Sequence, residues 1–265
     1  MYKLLIIFIL LLTACTPSFD THPYDVDYKG EKDINAHHIA EIERLCAQKD
    51  TLRIAVMSDT HGWYSDTRDI INDINHQPAI DFAIHGGDLT DTGTHKEFEW
   101  VGDLLGKLNK PYVAIIGNHD FLGTGDQSYT TIFGRTDFCF IANRIKFVCL
   151  NTNATEYDYL AAVPNFDFME TAVTADSASF DRTIVVMHAR PYSDQFNNNV
   201  AKAFQRYLHL FPGIMFCISA HDHSIQADNL YGDGLMFYGI DCAEHRNYHI
   251  FTITKEGYSY EVVHV

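Results

Sequence analysis

Five short apolar segments of this chain each end directly in a group of Asp, His or Asn residues. Their length and aliphatic composition predict buried strands. In open α/β sheets, the carboxyl ends of parallel strands share one edge, and ligands bind there. We therefore expect the five polar groups to meet in one site. They are Asp59-Thr60-His61 after 53–58, Asp88-Leu89-Thr90-Asp91 after 81–87, Asn118-His119-Asp120 after 112–117, His188 after 183–187, and His221-Asp222-His223 after 213–219.

The residue types in these groups point to metal binding. Carboxylate, amide and imidazole ligands without thiolate suit Mn, Fe or Zn and disfavour copper(I). Asp59, Asp88 and Asp120 in one pocket would repel each other strongly in the absence of cations. Taken alone, an Asp-x-His or Asn-His-Asp sequence is more often a turn, and a His at a strand end is more often a core residue. Five such groups in order, each behind a buried strand, favour a metal site.

The order of elements predicts an α/β protein. Strands and helices alternate from Leu52, and a capping box at Thr94–Glu97 starts a helix that runs to about Asn109. Asp33 is expected to cap a short helix that ends at Cys46. Segments 138–142 and 145–151 predict a hairpin, and three further strands follow near the C-terminus. Two packed sheets with helices outside account for this pattern.

At this point the chain resembles a known family, the calcineurin-like metallophosphoesterases. The family motifs D-x-H, G-D, G-N-H-[DE], H and G-H-x-H stand here in the same order over about residues 52–265. One position departs from the pattern, because Ala220 replaces the Gly that usually precedes the last motif. The resemblance implies a four-layer αββα sandwich with two mixed β-sheets flanked by helices. As a whole, the chain is similar to lipoprotein members of the family from Bacteroidetes-type bacteria.

The resemblance also implies a role for each motif residue. Two divalent or trivalent ions (Mn, Fe or Zn) would be bound, with Asp88 bridging them. His119 would contact the phosphoryl oxygen or protonate the leaving group, and Asp120 would orient His119. The other implied ligands are Asp59, His61 and His223 for the first metal, and Asn118, His188 and His221 for the second.

The implied activity is hydrolysis of a small phosphate ester, with phosphodiesters favoured over monoesters. The alternative is a degenerate phosphoesterase fold that serves as a surface binding module, but such a protein would be expected to lose ligands. Trp63, Tyr64, Tyr157 and Arg246 follow motif positions and are candidate substrate contacts, although packing aromatics and solvated loop residues explain them equally well. Segment 121–134 is expected to be a loop beside the cleft. The net charge of −16 argues against a nucleic-acid polymer as partner.

The N-terminus predicts export and lipid attachment. Lys3 precedes an apolar run from Leu4 to Leu12, and a bilayer span would need about 20 residues. Such a run is typical of a signal peptide. The following Leu12-Thr13-Ala14-Cys15 looks like a bacterial lipobox, in which Cys15 is lipidated; an ordinary signal peptide that carries a Cys is the alternative. We expect a lipid-anchored protein at the cell envelope, on the periplasmic face or the outer-membrane surface.

The predicted domain organisation has three parts. Residues 1–14 are the signal peptide, 15–50 a tether with a short helix, and 51–265 the metallophosphoesterase domain. The other five cysteines would then lie in an oxidising compartment. Cys139 and Cys149 flank the turn of the predicted hairpin and are expected to be able to face each other across it.

Overall fold

The computed structural model describes residues 25–26 and 28–265 of the 265-residue chain. The predicted signal peptide and Cys15 lie outside the described residues. Within them, no helix combines the length and the apolar character that crossing a bilayer requires.

Eleven strands and six α-helices make up the described part of the chain. The strands are β1 Leu52–Met57, β2 Phe82–His85, β3 Tyr112–Ala114, β4 Phe138–Ala142, β5 Ile145–Leu150, β6 Arg182–Met187, β7 Ile214–Ser219, β8 Gln226–Asp228, β9 Met236–Gly239, β10 Asn247–Ile253 and β11 Tyr258–His264. The helices are α1 Ile34–Cys46, α2 Tyr64–His76, α3 His95–Leu105, α4 Gly125–Ile132, α5 Phe166–Thr174 and α6 Ala201–Leu208.

The strands form two mixed sheets. One has five strands in the order β11-β10-β1-β2-β3, in which β1, β2 and β3 are parallel and the other pairs are antiparallel. The other has six strands in the order β4-β5-β6-β7-β9-β8, in which β5, β6, β7 and β9 are parallel and the two edge strands are antiparallel.

Three apolar layers separate the elements, because successive strand residues point to opposite faces. On β1, Ile54 and Val56 pack against the second sheet, whereas Ala55 and Met57 face helices α2 and α3. On the far side, alternate residues of β5, β6 and β7 pack against α5 and α6. The predicted αββα sandwich is confirmed.

Several local predictions hold and others fail. The capping box at Thr94–Glu97 starts α3, and the hairpin of β4 and β5 forms as expected. Helix α1 forms, but the Asp33 side chain makes no capping hydrogen bond. Segment 121–134 is not a loop throughout, because it contains α4. Helix α5 and the edge strand β8 were not predicted.

Cys139 and Cys149, which the sequence allowed to face each other across the hairpin, do not do so. Cys139 lies opposite Val148, and Cys149 lies opposite Phe138. A register offset of one residue places the two thiols on opposite faces of the sheet. The described cysteines, Cys46, Cys139, Cys149, Cys217 and Cys242, are all free thiols.

Candidate metal centre

The five polar groups meet at one edge where the two sheets lie together. Parallel strands β1, β2 and β3 deliver Asp59, Asp88 and Asn118 from one sheet, and β6 and β7 deliver His188 and His221 from the other. Backbone hydrogen bonds fix the groups to one another. The N–H of Asp59 donates to the carbonyl of Gly87 at 3.0 Å, and the N–H of His61 donates to that of Asp88 at 3.2 Å.

The first group of side chains consists of Asp59, His61 and His223. His223 Nε2 lies 3.2 Å from Asp59 Oδ1 and 3.2 Å from His61 Nε2. Two imidazole nitrogens at this separation repel if both carry lone pairs, so one proton or one shared cation is needed between them. Both rings therefore place a nitrogen that can bind a metal ion in one small volume beside the Asp59 carboxylate.

The second group consists of Asn118, His188 and His221. Asn118 Oδ1 lies 3.0 Å from His188 Nε2 and 2.9 Å from His221 Nδ1. The far nitrogen of each ring has its own acceptor. His188 Nδ1 donates to the carbonyl of Gly86 at 2.8 Å, and His221 Nε2 lies 2.7 Å from a carboxylate oxygen of Asp194. Such bonds fix the tautomer and turn the other nitrogen toward a metal.

Asp88 lies between the two groups. Its Oδ2 is 3.6 Å from His61 Nε2 and 3.3 Å from His188 Nε2. Its Oδ1 accepts the backbone N–H of His119 at 2.8 Å, which fixes the plane of the carboxylate. Asp88 is the carboxylate that both groups share. Two of the four potential metal clusters in the described residues match these groups: Asp59, His61, Asp88 and His223 form one, and Asp88, His188 and His221 form the other. A third cluster at the same site joins His61 to Asp91 and His119.

The residues of this site fit metal ions. Both carboxylate oxygens of Asp59 are fully buried and accept no hydrogen bond of good geometry among the described residues. The imidazoles of His223 and His61 lie 3.2 Å and 3.9 Å from Asp59 Oδ1. A buried carboxylate is costly unless a positive charge lies beside it, so Asp59 and these two rings favour a bound cation. The donor set of carboxylate, amide oxygen and imidazole is one that Mn, Fe or Zn accepts.

The backbone supports the same conclusion. Five of the seven predicted ligands have positive φ, with values between 43° and 69°, which L-residues seldom adopt. Residues in such conformations cluster at functional sites because the fold must hold them there. These residues are Asp59, His61, Asp88, His221 and His223.

Two glycines permit the close approach of these loops. Gly87 has φ of +98°, and a Cβ there would lie 2.6 Å from His188 Nδ1. A Cβ on Gly117 would collide with the backbone and the carboxylate of Asp88. The G-D and G-N-H motifs therefore need glycine because β2, β3 and β6 converge at this point.

Charge within the site is balanced by coupling between Asp88 and His188. Burial alone would raise the pKa of Asp88, but the adjacent His188 outweighs it and holds the pKa below its usual value. Burial would lower the pKa of His188, but the charge of Asp88 and their hydrogen bond raise it to about 10. A proton on His188 thus balances the negative charge of Asp88.

His119 lies beside the first group and is held by Asp91. Its Nδ1 donates to the backbone carbonyl of Asp91 at 2.7 Å, and its ring lies edge-on to His61 with centroids 4.6 Å apart. The carboxylate of Asp91 lies 3.6 Å from His61 Nδ1 and 3.8 Å from His119 Nδ1. Asp91 belongs to the polar group after β2 but was assigned no role, and Asp194 was not predicted at the site.

The predicted orienting role of Asp120 is wrong. Its buried carboxylate accepts the backbone N–H groups of Leu89, Thr90 and Gly117 and the Thr90 hydroxyl, at 2.9 to 3.2 Å. Burial and the charge of Asp88 raise its pKa to about 7, against these hydrogen bonds. Asp120 therefore ties the loop after β2 to the loop after β3 and does not contact the His119 ring.

The predicted substrate contacts lie at different distances from the centre. The Trp63 ring centroid is 5.4 Å from that of His61, which places it at the site. Tyr64 packs against Trp100, and the Tyr157 hydroxyl accepts from Asn151 at 3.2 Å. Arg246 pairs with Asp69 on α2. Trp63 is thus the only one of the four with a ring contact to a predicted ligand, within the described part of the chain.

Comparison with known proteins gives the family. The sequence profile of the calcineurin-like phosphoesterases matches residues 52–224. No curated protein has a sequence that matches this chain significantly.

Solved structures share the fold at low sequence identity. A dimetal phosphatase from Danio rerio has a TM-score of 0.62 at 11% identity, over 80% of this chain and 98% of that one. GAP50, the anchor in the inner membrane complex of Plasmodium, has a TM-score of 0.58 at 14% sequence identity, and the match covers 82% of this chain and 85% of GAP50. A purple acid phosphatase from yellow lupin (Lupinus luteus) seeds has a TM-score of 0.58 at 12% sequence identity. The match covers 82% of this chain but 54% of the lupin protein, so this chain spans about half the length of that protein.

These likenesses show the fold, and the profile, which covers well over half of the chain, shows the family. The motif residues of that family are the ones that converge around Asp88. The chain belongs to the calcineurin-like phosphoesterase family, whose enzymes are hydrolases that act on phosphoric ester bonds.

Proposed function

We propose that this protein is a binuclear metal-dependent phosphoesterase that hydrolyses phosphodiesters in preference to monoesters. The observation that carries the proposal is the convergence of six potential ligands around Asp88, among them the buried carboxylate of Asp59. The first ion would be held by Asp59, His61 and His223, and the second by Asn118, His188 and His221, with Asp88 shared. When bound, a metal pair lowers the pKa of water and neutralises charge on phosphoryl oxygens.

The residues of the chain supply orientation and a proton. Because the Asp91 carbonyl holds the Nδ1 proton of His119, the Nε2 side of the ring is the one left to act on substrate. In its protonated form, His119 can donate from Nε2 to a phosphoryl oxygen or to the departing alkoxide. The His119 side chain is 37% exposed, so a substrate can reach it.

The preference for diesters rests on Arg190 and Arg246, two arginines near the motifs that are both paired with carboxylates. A monoester dianion carries an extra negative charge, which usually needs the bidentate fork of an arginine. Arg190 donates to Asp222 at 2.6 Å and to Asp228 at 2.8 Å, and Arg246 pairs with Asp69. The exposed carboxylates of Asp91 and Asp194 add negative charge beside the histidines. A singly charged diester suits these surroundings better.

Metal removal tests the proposed chemistry. The full chain, stripped with chelator, should lose hydrolysis of bis-p-nitrophenyl phosphate and regain it with Mn²⁺. Hydrolysis that survives exhaustive stripping would refute a metal-dependent mechanism. The preference is tested separately by kcat/KM for bis-p-nitrophenyl phosphate against p-nitrophenyl phosphate near pH 8. A monoester preference of about tenfold, or 1.4 kcal/mol, would refute the diester assignment.

We also propose that the enzyme is a lipid-anchored lipoprotein of the cell envelope, as in Bacteroidetes-type members of the family. This rests on the sequence Leu12-Thr13-Ala14-Cys15 behind the apolar run. Cys15→Ser should move the protein from the membrane fraction to the soluble fraction without changing kcat. A variant that stays membrane-bound after a high-salt wash would argue for another anchor.

The likeness to GAP50 keeps the second candidate, a surface binding module, in view. Against it, none of the seven ligand positions has been lost in this chain. Less than about one ion per chain after Mn²⁺ loading would favour the binding module, since a degenerate centre lacks the ligands for stable binding.

A further inference from the structure

A second group of potential metal ligands lies outside the centre around Asp88. It follows β9, where Asp241 and Cys242 precede a short 3-10 turn that ends at His245. The group Asp241, Cys242 and His245 has its ligand atoms within 4.8 Å of one another. None of these three residues belongs to a motif that the sequence analysis assigned.

The distances within this group match a zinc site. His245 Nδ1 lies 3.6 Å from Cys242 Sγ and 2.9 Å from Asp241 Oδ1. In a tetrahedral site with Zn–S of about 2.3 Å and Zn–N of about 2.0 Å, the sulfur and nitrogen ligands are roughly 3.5 Å apart. The thiol and the imidazole are therefore already at the spacing that one ion would impose.

The surroundings close the site on the protein side and open it to solvent. Cys242 is 1% exposed and Asp241 is 7% exposed, whereas the side chain of His245 is 54% exposed. An ion can enter past His245, and water can supply the fourth ligand.

Buried Asn247 supports the carboxylate from behind. Its Nδ2 donates to Asp241 Oδ2 at 3.0 Å, as outer partners of metal ligands commonly do. Asn247 is 1% exposed, and its Oδ1 has no hydrogen-bond partner among the described residues. Buried polar groups are normally hydrogen-bonded, so this unpartnered amide oxygen, on the residue that binds Asp241, is an observation independent of the three ligands that points to a polar ligand here.

We propose that Asp241, Cys242 and His245 form a third metal site, selective for Zn²⁺ or a similar thiophilic ion. Binding replaces the thiol proton of Cys242, which leaves to solvent, and the resulting thiolate bonds to the ion. A thiolate ligand separates this site chemically from the centre around Asp88, whose seven predicted ligands include no sulfur.

The site would brace the catalytic centre. Cys242 forms a backbone bridge with Ser58, and the N–H of Ala243 donates to the carbonyl of Asp59 at 3.2 Å. An ion held by Cys242 would therefore fix the backbone next to Asp59, which has a left-handed φ and a buried carboxylate.

Cobalt substitution tests the proposal without relying on activity. The full chain loaded with Co²⁺ should show near-ultraviolet thiolate-to-cobalt charge-transfer absorption, which oxygen and nitrogen ligands do not give. Added Zn²⁺ should remove this band. Cys242→Ser and His245→Ala should each abolish it, whereas Cys139→Ser, a change to a thiol with no such neighbours, should keep it.

Two outcomes would overturn the proposal. One is the absence of the band in the wild-type protein when bound cobalt is present. The other is a band that persists in His245→Ala, an exposed position at which substitution leaves the fold intact as judged by circular dichroism. Because the readout is a sulfur-specific band, its failure is separate from any failure of the hydrolytic function.

Discussion

His119 donates its Nδ1 proton to the backbone carbonyl of Asp91 at 2.7 Å. A carbonyl can only accept, so the neutral ring must carry its proton on Nδ1 and its lone pair on Nε2. The orientation of the ring is thereby set by the main chain after β2, the same segment that carries Asp88. His119 and Asp88 are thus both positioned by the loop after β2.

His119→Ala should therefore impair catalysis without emptying the centre. We expect kcat to fall by roughly 10²- to 10⁴-fold, because general acid assistance is lost. Bound metal, measured by mass spectrometry, should stay at the wild-type level because His119 is not a predicted ligand. His209→Ala, which removes a surface histidine paired with Asp233, is the matched control and should keep wild-type kcat. Loss of metal from His119→Ala would show that its role has been misassigned.

Asp120→Ala should destabilise the protein strongly. Four donors, three of them backbone N–H groups, would lose their acceptor in a fully buried position. Each unsatisfied buried group costs about 1–3 kcal/mol, so with four donors we expect a loss of at least about 4 kcal/mol in the free energy of unfolding. Urea denaturation of the metal-free protein measures it. Asp50→Ala, which removes only an exposed pair with Lys255, should change it by less than about 1 kcal/mol. Equal effects of the two substitutions would contradict the conclusion that Asp120 ties the loop after β2 to the loop after β3.

Asp137→Asn should stabilise the protein at alkaline pH. Burial raises the pKa of Asp137 from 3.8 to about 6, against a hydrogen bond from the Asn151 N–H. The folded state thus holds this proton more tightly than the unfolded state does, so stability falls as pH rises through this range. The amide keeps an acceptor for Asn151 and carries no charge. We expect a gain of about 1–2 kcal/mol at pH 8 and little gain at pH 4. A gain that does not vary with pH would contradict this cause.

The predicted ligands came from the sequence because each stands directly after a buried strand. A short apolar run predicts a buried strand. The carboxyl ends of parallel strands lie at the same edge of a sheet, so Asp59, Asp88 and Asn118 were expected to lie close together. His188 and His221 were expected to join them because each follows another buried strand, and these strands belong to the other sheet. The structure brings all of these residues together, and their individual roles as metal ligands remain predictions.

Other features depend on tertiary contacts that leave no local pattern. Asp91 stands in the polar group after β2, but it holds His119 through its backbone carbonyl, which any residue could provide, so this contact could not be predicted from its side chain. Helix α4 begins at Gly125 and is rich in Thr and Ser, but burial of Tyr129 and Ile132 stabilises it against its weak propensity. The offset of Cys139 from Cys149 follows from strand register, which spacing alone did not determine.

The shared position of Asp88 is the central claim, and the number of Mn²⁺ ions bound to wild type and to Asp88→Asn tests it most directly. Asp88 Oδ2 lies within 3.6 Å of a histidine from each group. The wild-type protein, equilibrated with Mn²⁺ and freed of excess metal, should retain about two ions per chain, as expected of a two-metal site. Asp88→Asn should retain at most about one, because an amide has lost the charge that both ions share. Equal retention of two ions by both proteins would contradict the claim that Asp88 joins two metals.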